Sequence, residues 1–368
     1  MKVLHILYSG LGGHGNVFFS LTDADIQNRF TFEALFNGVE NMREEYVERC
    51  NKKKIYFNYV KKIPGFDVNY YKEIVRIVKA SNPDIIFLHS SSYILPIVLA
   101  KFFYKIKGKI IVRETQANKL KTKKEWLWLS IALLLADKCV FLSDNYKQEI
   151  KKRLPFFYKE KKAIVIPNGI NLKKFTPHQV VEHSDVTIGM QSRIIDIKDH
   201  LTLIKAFALL LKDDGLKDKN LILKIVGDGE YLPILKKLVS ELNICKQVLF
   251  PGLMNENELV SFLNELDIYV HASLGETMST SIMQAMACKK AIIASDVPGI
   301  NNMITNNING LLSEVKNEKD LYNKMKLLII NPALKNTIAE NATIHASKNF
   351  SNEVMFLKYQ LLFNSFKN

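Results

Sequence analysis

Cysteine is scarce in this 368-residue chain: Cys50, Cys139, Cys245 and Cys288 stand far apart, and none forms a CxxC pair. That spacing argues against a zinc site and against a disulfide framework, and it points to a reducing, cytoplasmic compartment. Long apolar runs are missing too. The longest, WLWLSIALLLA over 126–136, has 11 residues, where a bilayer span takes ~20, so it is expected as a buried helix. The apolar run in the opening MKVLHILYSG is too short for a signal-peptide core. Acidic residues are outnumbered, 37 against 51 Lys and Arg, for a net charge of +14. The excess gathers in the first half at Lys52–Lys54, Lys61–Lys62, KLKTKK (119–124), Lys151–Arg153 and Lys161–Lys162. Such a balance suits anionic partners: nucleic acid, phosphorylated substrates or an acidic membrane surface. The aromatic residues do not interleave with these lysines as a base-stacking platform would, which counts against nucleic acid.

What the chain does have is a repeated alternation of short apolar runs and helical patterns. The first set of runs is 3–9, 30–36, 55–60, 85–90, 109–114, 139–143 and 163–167. The second is 186–192, 221–227, 248–252, 268–273 and 291–296. Continuous apolar strands alternating with helices predict parallel sheets covered on both faces. The fold expected is α/β with two doubly wound, Rossmann-like domains: 1–175, a linker at 176–185, and 186–350. At roughly 100–200 residues per domain the length agrees. Ligands of such sheets bind beyond the carboxyl ends of strands, so the cleft between the domains is the expected site and residues just after strands carry the information.

Three stretches stand there. GLGGHG (10–15) follows the first strand, with Gly12 and Gly13 in it. It fits the dinucleotide pattern formally, but the second strand ends in Asn37 and Gly38 rather than an acid. A plain tight turn and a ligand-facing loop both stay open, the second being favoured. Arg193 and Lys198 follow the first strand of the second domain, where an arginine fork and a lysine point charge suit a diphosphate, or are merely surface cations. GETMSTSIMQAMA (275–287) places Glu276 on a loop, Thr280 or Ser281 at a helix cap, and Gln284 one turn into the helix. The backbone around Met278, Ser279 and Thr280 would then meet a ligand at the positive end of that helix.

Together these motifs resemble the family 4 retaining glycosyltransferases of GT-B fold. The resemblance runs through SRIIDIKDH with Asp199 where glycine is usual, VGDG (226–229), FPG (250–252), PDIIFLH with His89, and IPNGIN. Its most telling mark is the Glu-x7-Glu run ending EAMA, here with Gln284 at the second glutamate. The resemblance implies that Arg193 and Lys198 bind the donor diphosphate and that Glu276 holds the donor sugar. It implies that Thr277, Met278, Ser279 and Thr280 contact sugar and phosphate, and that Gln284 holds the ribose. His89 would lie near the donor sugar or the reacting centre, and Gly12 and Gly13 would face the diphosphate and acceptor. It further implies a nucleoside-diphosphate sugar donor, UDP- before GDP-linked, and a glycan or lipid-linked acceptor in bacterial surface-polysaccharide synthesis. No cofactor and no metal are expected, the terminal segment 351–368 is assigned back to the first domain, and KLKTKKEWLW (119–128) is a candidate for contact with an anionic membrane surface. Two other classes fit less well: a sugar-nucleotide epimerase, for which no acid/base carboxylate pair is evident, and a basic non-catalytic binding protein.

Overall fold

A computed structural model describes residues 1–10, 13–63, 65, 67–178 and 185–367. The chain divides into two compact units, 1–169 with 352–368, and 170–351. The first is built on seven strands: β1 (Lys2–Tyr8), β2 (Thr31–Gly38), β3 (Tyr56–Lys61), β4 (Ile85–Leu88), β5 (Lys109–Arg113), β6 (Lys138–Phe141) and β7 (Ala163–Val165). Their order is β3-β2-β1-β4-β5-β6-β7, and every described pairing is parallel. The second unit has β8 (Asp185–Gln191), β9 (Asn220–Val226), β10 (Val248–Gly252), β11 (Ile268–His271), β12 (Ala291–Ser295) and β13 (Leu311–Ser313), ordered β10-β9-β8-β11-β12-β13. These too pair in parallel. Both units are thus doubly wound α/β sheets of the kind the alternation predicts, and in each the strand order reverses beside its first strand.

The inner strands form where the sequence is apolar almost without a break, because helices cover both faces, whereas the edge strands β3 and β10 are largely exposed or half-buried. β4 and β12 are buried at every residue. β13 is not evident in the sequence: three residues after Gly310 are too few to register as an apolar run. The boundary region differs from a linker beginning at 176. Ile170 bridges to Ser351, and Ile170 and Phe175 are buried within the second unit. Residues 179–184 of the expected linker lie outside the described residues.

The last helix, Asn352–Asn364, buries Met355, Phe356, Tyr359, Leu362 and Phe363 in the core that holds Val3, Phe18, Phe36 and Phe87. Phe363 is fully buried, its ring 5.2 Å from Phe30 and 6.3 Å from Phe87. Phe363→Ala is expected to cost the first unit ~3–5 kcal/mol. Leu361→Ala, 73% exposed, should stay within about 0.5 kcal/mol. Both tryptophans, Trp126 and Trp128, lie in this unit, so their fluorescence during urea unfolding measures the difference.

Candidate functional site

In the second unit the strand order reverses between β8 and β11, which pair directly. Loops leaving the carboxyl ends of two such strands frame the usual ligand position of a doubly wound sheet. The loop after β8 carries Arg193 and Lys198; the loop after β11 carries Glu276. The VGDG segment supports the first of these. Gly227, at φ +135°, brings the turn after β9 against Ser192, where a Cβ would overlap the Ser192 carbonyl oxygen. Ser192 N–H donates to Val226 O (3.0 Å) and Ile194 N–H to Asp228 O (2.8 Å). Asp199 has left-handed backbone, φ 31° and ψ 41°, which accounts for glycine being the usual residue there; an aspartate tolerates it better than most side chains. Its Oδ1 accepts from Thr202 Oγ1 at 2.8 Å, and burial raises its carboxyl.

The second loop is stitched to the first. Leu274 N–H and Ser273 Oγ both donate to Ile197 O, at 2.8 and 3.2 Å, and Ser273 N–H donates to Ser295 Oγ at 2.9 Å. Gly299 lies beneath it: a Cβ there would overlap the backbone of Glu276 and Thr277. The consequence is a close ion pair between Lys198 Nζ and Glu276 Oε1, with the side chains only 16% and 13% exposed. His271 Nε2 lies 2.8 Å from the same oxygen. Burial pushes the Glu276 carboxyl up, but the Lys198 charge and the His271 hydrogen bond outweigh it and hold the group well below the usual carboxylate range. Burial keeps His271 neutral. A neutral imidazole beside a carboxylate carries its proton on Nε2, which leaves Nδ1 to accept from Tyr269 Oη at 3.3 Å. Gln191 O lies 3.3 Å from the same hydroxyl and competes with Nδ1 for its single proton, and Gln191 Nε2 donates to Gln284 Oε1 at 2.6 Å. One polar chain therefore runs Lys198–Glu276–His271–Tyr269–Gln191–Gln284.

Glu276 and Lys198 are brought together, whereas Arg193 projects outward and its side chain has no partner among the described residues. The helix begins at Thr280 and its cap is Ser279, one residue earlier than the sequence suggests; Ser279 Oγ accepts from Ile282 N–H at 3.4 Å. Thr277, Met278 and Ser279 are buried, as is Gln284, which is therefore no ordinary surface glutamine. His271, Tyr269, Gln191 and Gly299 escape sequence reading. The two aromatic rings look like core residues of a strand, and Gly299 is fixed by a contact 23 positions distant in the chain from Glu276.

In the first unit the corresponding reversal lies between β1 and β4. Gly13 opens the helix Gly13–Ala24, and a Cβ on it would meet nothing within 4 Å; Gly12 lies outside the described residues. His89 follows β4, is fully buried, and its Nε2 sits 3.0 Å from His5 Nδ1. His14 Nε2 is 3.1 Å from Thr115 Oγ1, and the His14 ring is 5.6 Å from that of His89. Burial, aided by the nearby Arg113 charge, lowers His5 to about 3 and keeps His89 neutral.

The comparisons with known proteins agree with this architecture. The model of glycosyl transferases group 1 matches residues 173–345 and that of glycosyltransferase family 4 matches residues 11–174, which together span most of the chain. The chain belongs to the family 4 glycosyltransferases of GT-B fold. It is similar to an uncharacterized glycosyltransferase of Methanocaldococcus jannaschii, 27% identical over 88% of each chain. It is also similar to the N,N'-diacetylbacillosaminyl-diphospho-undecaprenol alpha-1,3-N-acetylgalactosaminyltransferase of Campylobacter jejuni, 31% identical over 56% of this chain and 55% of that one. In fold it matches Anabaena HepE, solved in complex with UDP-glucose, with a TM-score of 0.82 at 18% identity over 99% of this chain and 100% of that one.

Two outcomes follow from this geometry. Gly299→Ala should displace the 276–277 backbone and, by loosening the buried Lys198–Glu276 pair, lower the urea midpoint of the second unit, followed by far-ultraviolet circular dichroism; an unchanged midpoint would mean the loop has slack. Acid should destabilise the protein early. His200, whose Nε2 lies 2.9 Å from Ser192 Oγ, is lowered by burial to about 3, as His5 is, and His89 and His271 shift the same way. Below about 6.5 the unfolded chain takes up these protons and the native state does not. Stability is complete above that pH and falls towards pH 3, by up to ~1.4 kcal/mol per pH unit for each histidine. Glu276 adds to the loss below about 4.5, its ordinary value. Urea midpoints at pH 8, 7, 6 and 5 check this, a flat series between 7 and 5 being the contrary result.

Proposed function

We propose that this chain transfers a sugar from a nucleoside-diphosphate sugar to a lipid-linked glycan acceptor in surface-polysaccharide synthesis, with retention of anomeric configuration and without a metal ion. The observation that carries the reading is the buried Lys198–Glu276–His271 cluster at the strand-order reversal of the second unit. Lys198 and Arg193 supply the positive charge that a departing diphosphate requires, and that charge grows as the bond to the sugar breaks, so fixed cations favour the transition state over the ground state. They do the work a divalent cation would do elsewhere. Glu276, ionised and held from two sides, accepts hydrogen bonds from sugar hydroxyls. The segment Thr277–Thr280 leads into a helix N-terminus, which favours phosphate oxygens. Gln284 serves the ribose.

In the transfer, the acceptor hydroxyl oxygen bonds to C1 of the sugar as the C1–phosphate oxygen bond breaks on the same face. The hydroxyl proton passes to the departing phosphate oxygen, so no carboxylate nucleophile is needed. Support for a UDP-sugar comes from the bound donor of Anabaena HepE, with a GDP-sugar as the alternative. Support for a diphospho-undecaprenol acceptor and an α product comes from the Campylobacter relative. Such an acceptor would bring a cytoplasmic enzyme to the inner face of the membrane. The first unit, with Gly12, Gly13 and His89, is assigned the acceptor side.

Purified protein incubated with radiolabelled UDP- and GDP-sugars and a membrane lipid extract should label the lipid fraction, and the product should be cleaved by the α-glycosidase. Transfer with no donor and hydrolysis of none would overturn the reading; a β product would overturn retention alone. Glu276→Gln, which keeps the size and leaves Lys198 a neutral acceptor, should lower kcat/KM by about 10²–10³. Gln284→Glu should leave transfer intact or lower KM, since Gln191 Nε2 can donate to a carboxylate equally well; abolished activity there would remove position 284 from the ribose.

A further inference from the structure

We propose that two adjacent helices of the first unit form a docking face for an anionic lipid bilayer. The helices Ile94–Tyr104 and Lys123–Leu135 follow β4 and β5. Both turn their inner sides into one core, through Ile94, Ile97 and Ala100 and through Leu129, Ala132 and Leu133, and they pack against one another. The outer side of such helices is ordinarily polar. Here Leu95, Leu99, Phe102 and Phe103 are 38–79% exposed on the first helix, and Leu127, Leu134 and Leu135 are 41–57% exposed on the second. The exposed sets are 95, 99, 102, 103 and 127, 134, 135, each a single stripe, with Ile131 turned against the core beneath the second. Because both helices lead into parallel strands on one side of the sheet, they run alongside each other. Phe102 and Phe103 therefore lie at the same end as Leu134 and Leu135.

The exposed charge on these helices and the turns that flank them is basic. Residues 94–135 contain nine Lys and Arg against Glu114 and Glu125, a net +7; of the nine, Arg113 and Lys121 are buried and stand off the face. Both acids are engaged elsewhere, Glu125 in the capping box with Thr122 and Glu114 with buried Lys121 at 3.4 Å. Asp137, next along the chain, pairs with Lys109 at 3.5 Å. Lys105, Lys107, Lys119, Lys123 and Lys124 are left exposed at the margins. A second copy laid on this face would bring those lysines against themselves, and nucleic acid would leave the phenyl rings in water. Apolar stripes rimmed by lysine suit an anionic headgroup layer with acyl chains beneath it. The contact differs from the tryptophan-led one expected at 119–128. Trp126 and Trp128 pack on the core, Arg153 covers the Trp126 ring at 4.6 Å, and the exposed apolar groups are Phe102, Phe103 and the leucines.

This goes beyond the transfer reaction, and its test uses neither donor nor acceptor, so a failure here says nothing about the chemistry. The whole protein is floated with phosphatidylcholine vesicles, with and without phosphatidylglycerol, at low and high salt. Wild type should rise with the anionic vesicles at low salt, less at high salt, and not with phosphatidylcholine alone. Phe102→Ser with Phe103→Ser, and separately Lys123→Glu with Lys124→Glu, should each lower the bound fraction about tenfold while tryptophan-detected unfolding stays that of wild type. No flotation, flotation undiminished in the phenylalanine variant, or a dimer in sedimentation that this variant dissociates would each overturn the proposal.

Discussion

A carboxylate that is almost out of reach of water, held by a lysine on one side and a histidine on the other, organises the second unit. Burying the Glu276 charge is costly, and such a pair is favourable only if its geometry is kept and its remaining polar atoms are satisfied. Much of the surrounding structure meets that condition. Ile197 O takes two hydrogen bonds from the β11 loop, Gly299 clears a path for the 276–277 backbone, and Gly227 lets the turn after β9 buttress the loop on the other side. Each local oddity of sequence, an extra glycine or a left-handed aspartate, serves to keep two loops from neighbouring strands within a hydrogen bond of each other.

The same arrangement sets what the site can do. Glu276 stays ionised and His271 neutral throughout the physiological range, so neither is poised to move a proton near pH 7. The cluster is better suited to holding a polyhydroxylated ligand against a fixed cation than to acid–base chemistry. That separates the transferase reading from an epimerase, which needs a group that gives and takes a proton at the sugar.

The fold was legible because its inner strands are covered on both faces and are therefore apolar almost without interruption; β13, at three residues, was not, since a run so short carries no period. Lys198 and Glu276 could be picked out because they stand just past strand ends in a chain otherwise rich in lysine. Their contact with each other was hidden, since 78 positions separate them and only the parallel pairing of β8 with β11 closes the gap. His271 was hidden for a different reason: at the end of an apolar strand a histidine resembles packing, and only its distance to Glu276 distinguishes the two roles.

Gln284 gains its meaning from the same chain of contacts. A helix-borne side chain at this depth, 8% exposed, must have a partner, and Gln191 provides one from the end of β8. An amide donor suits either a glutamine or a glutamate opposite it, so the position can lose its charge without leaving a buried acceptor unmet. The ion pair at Glu276 has no such latitude, because removing either charge would strand the other. The two positions eight residues apart on one loop and helix are therefore held by different physics, one by charge and one by hydrogen bonding alone.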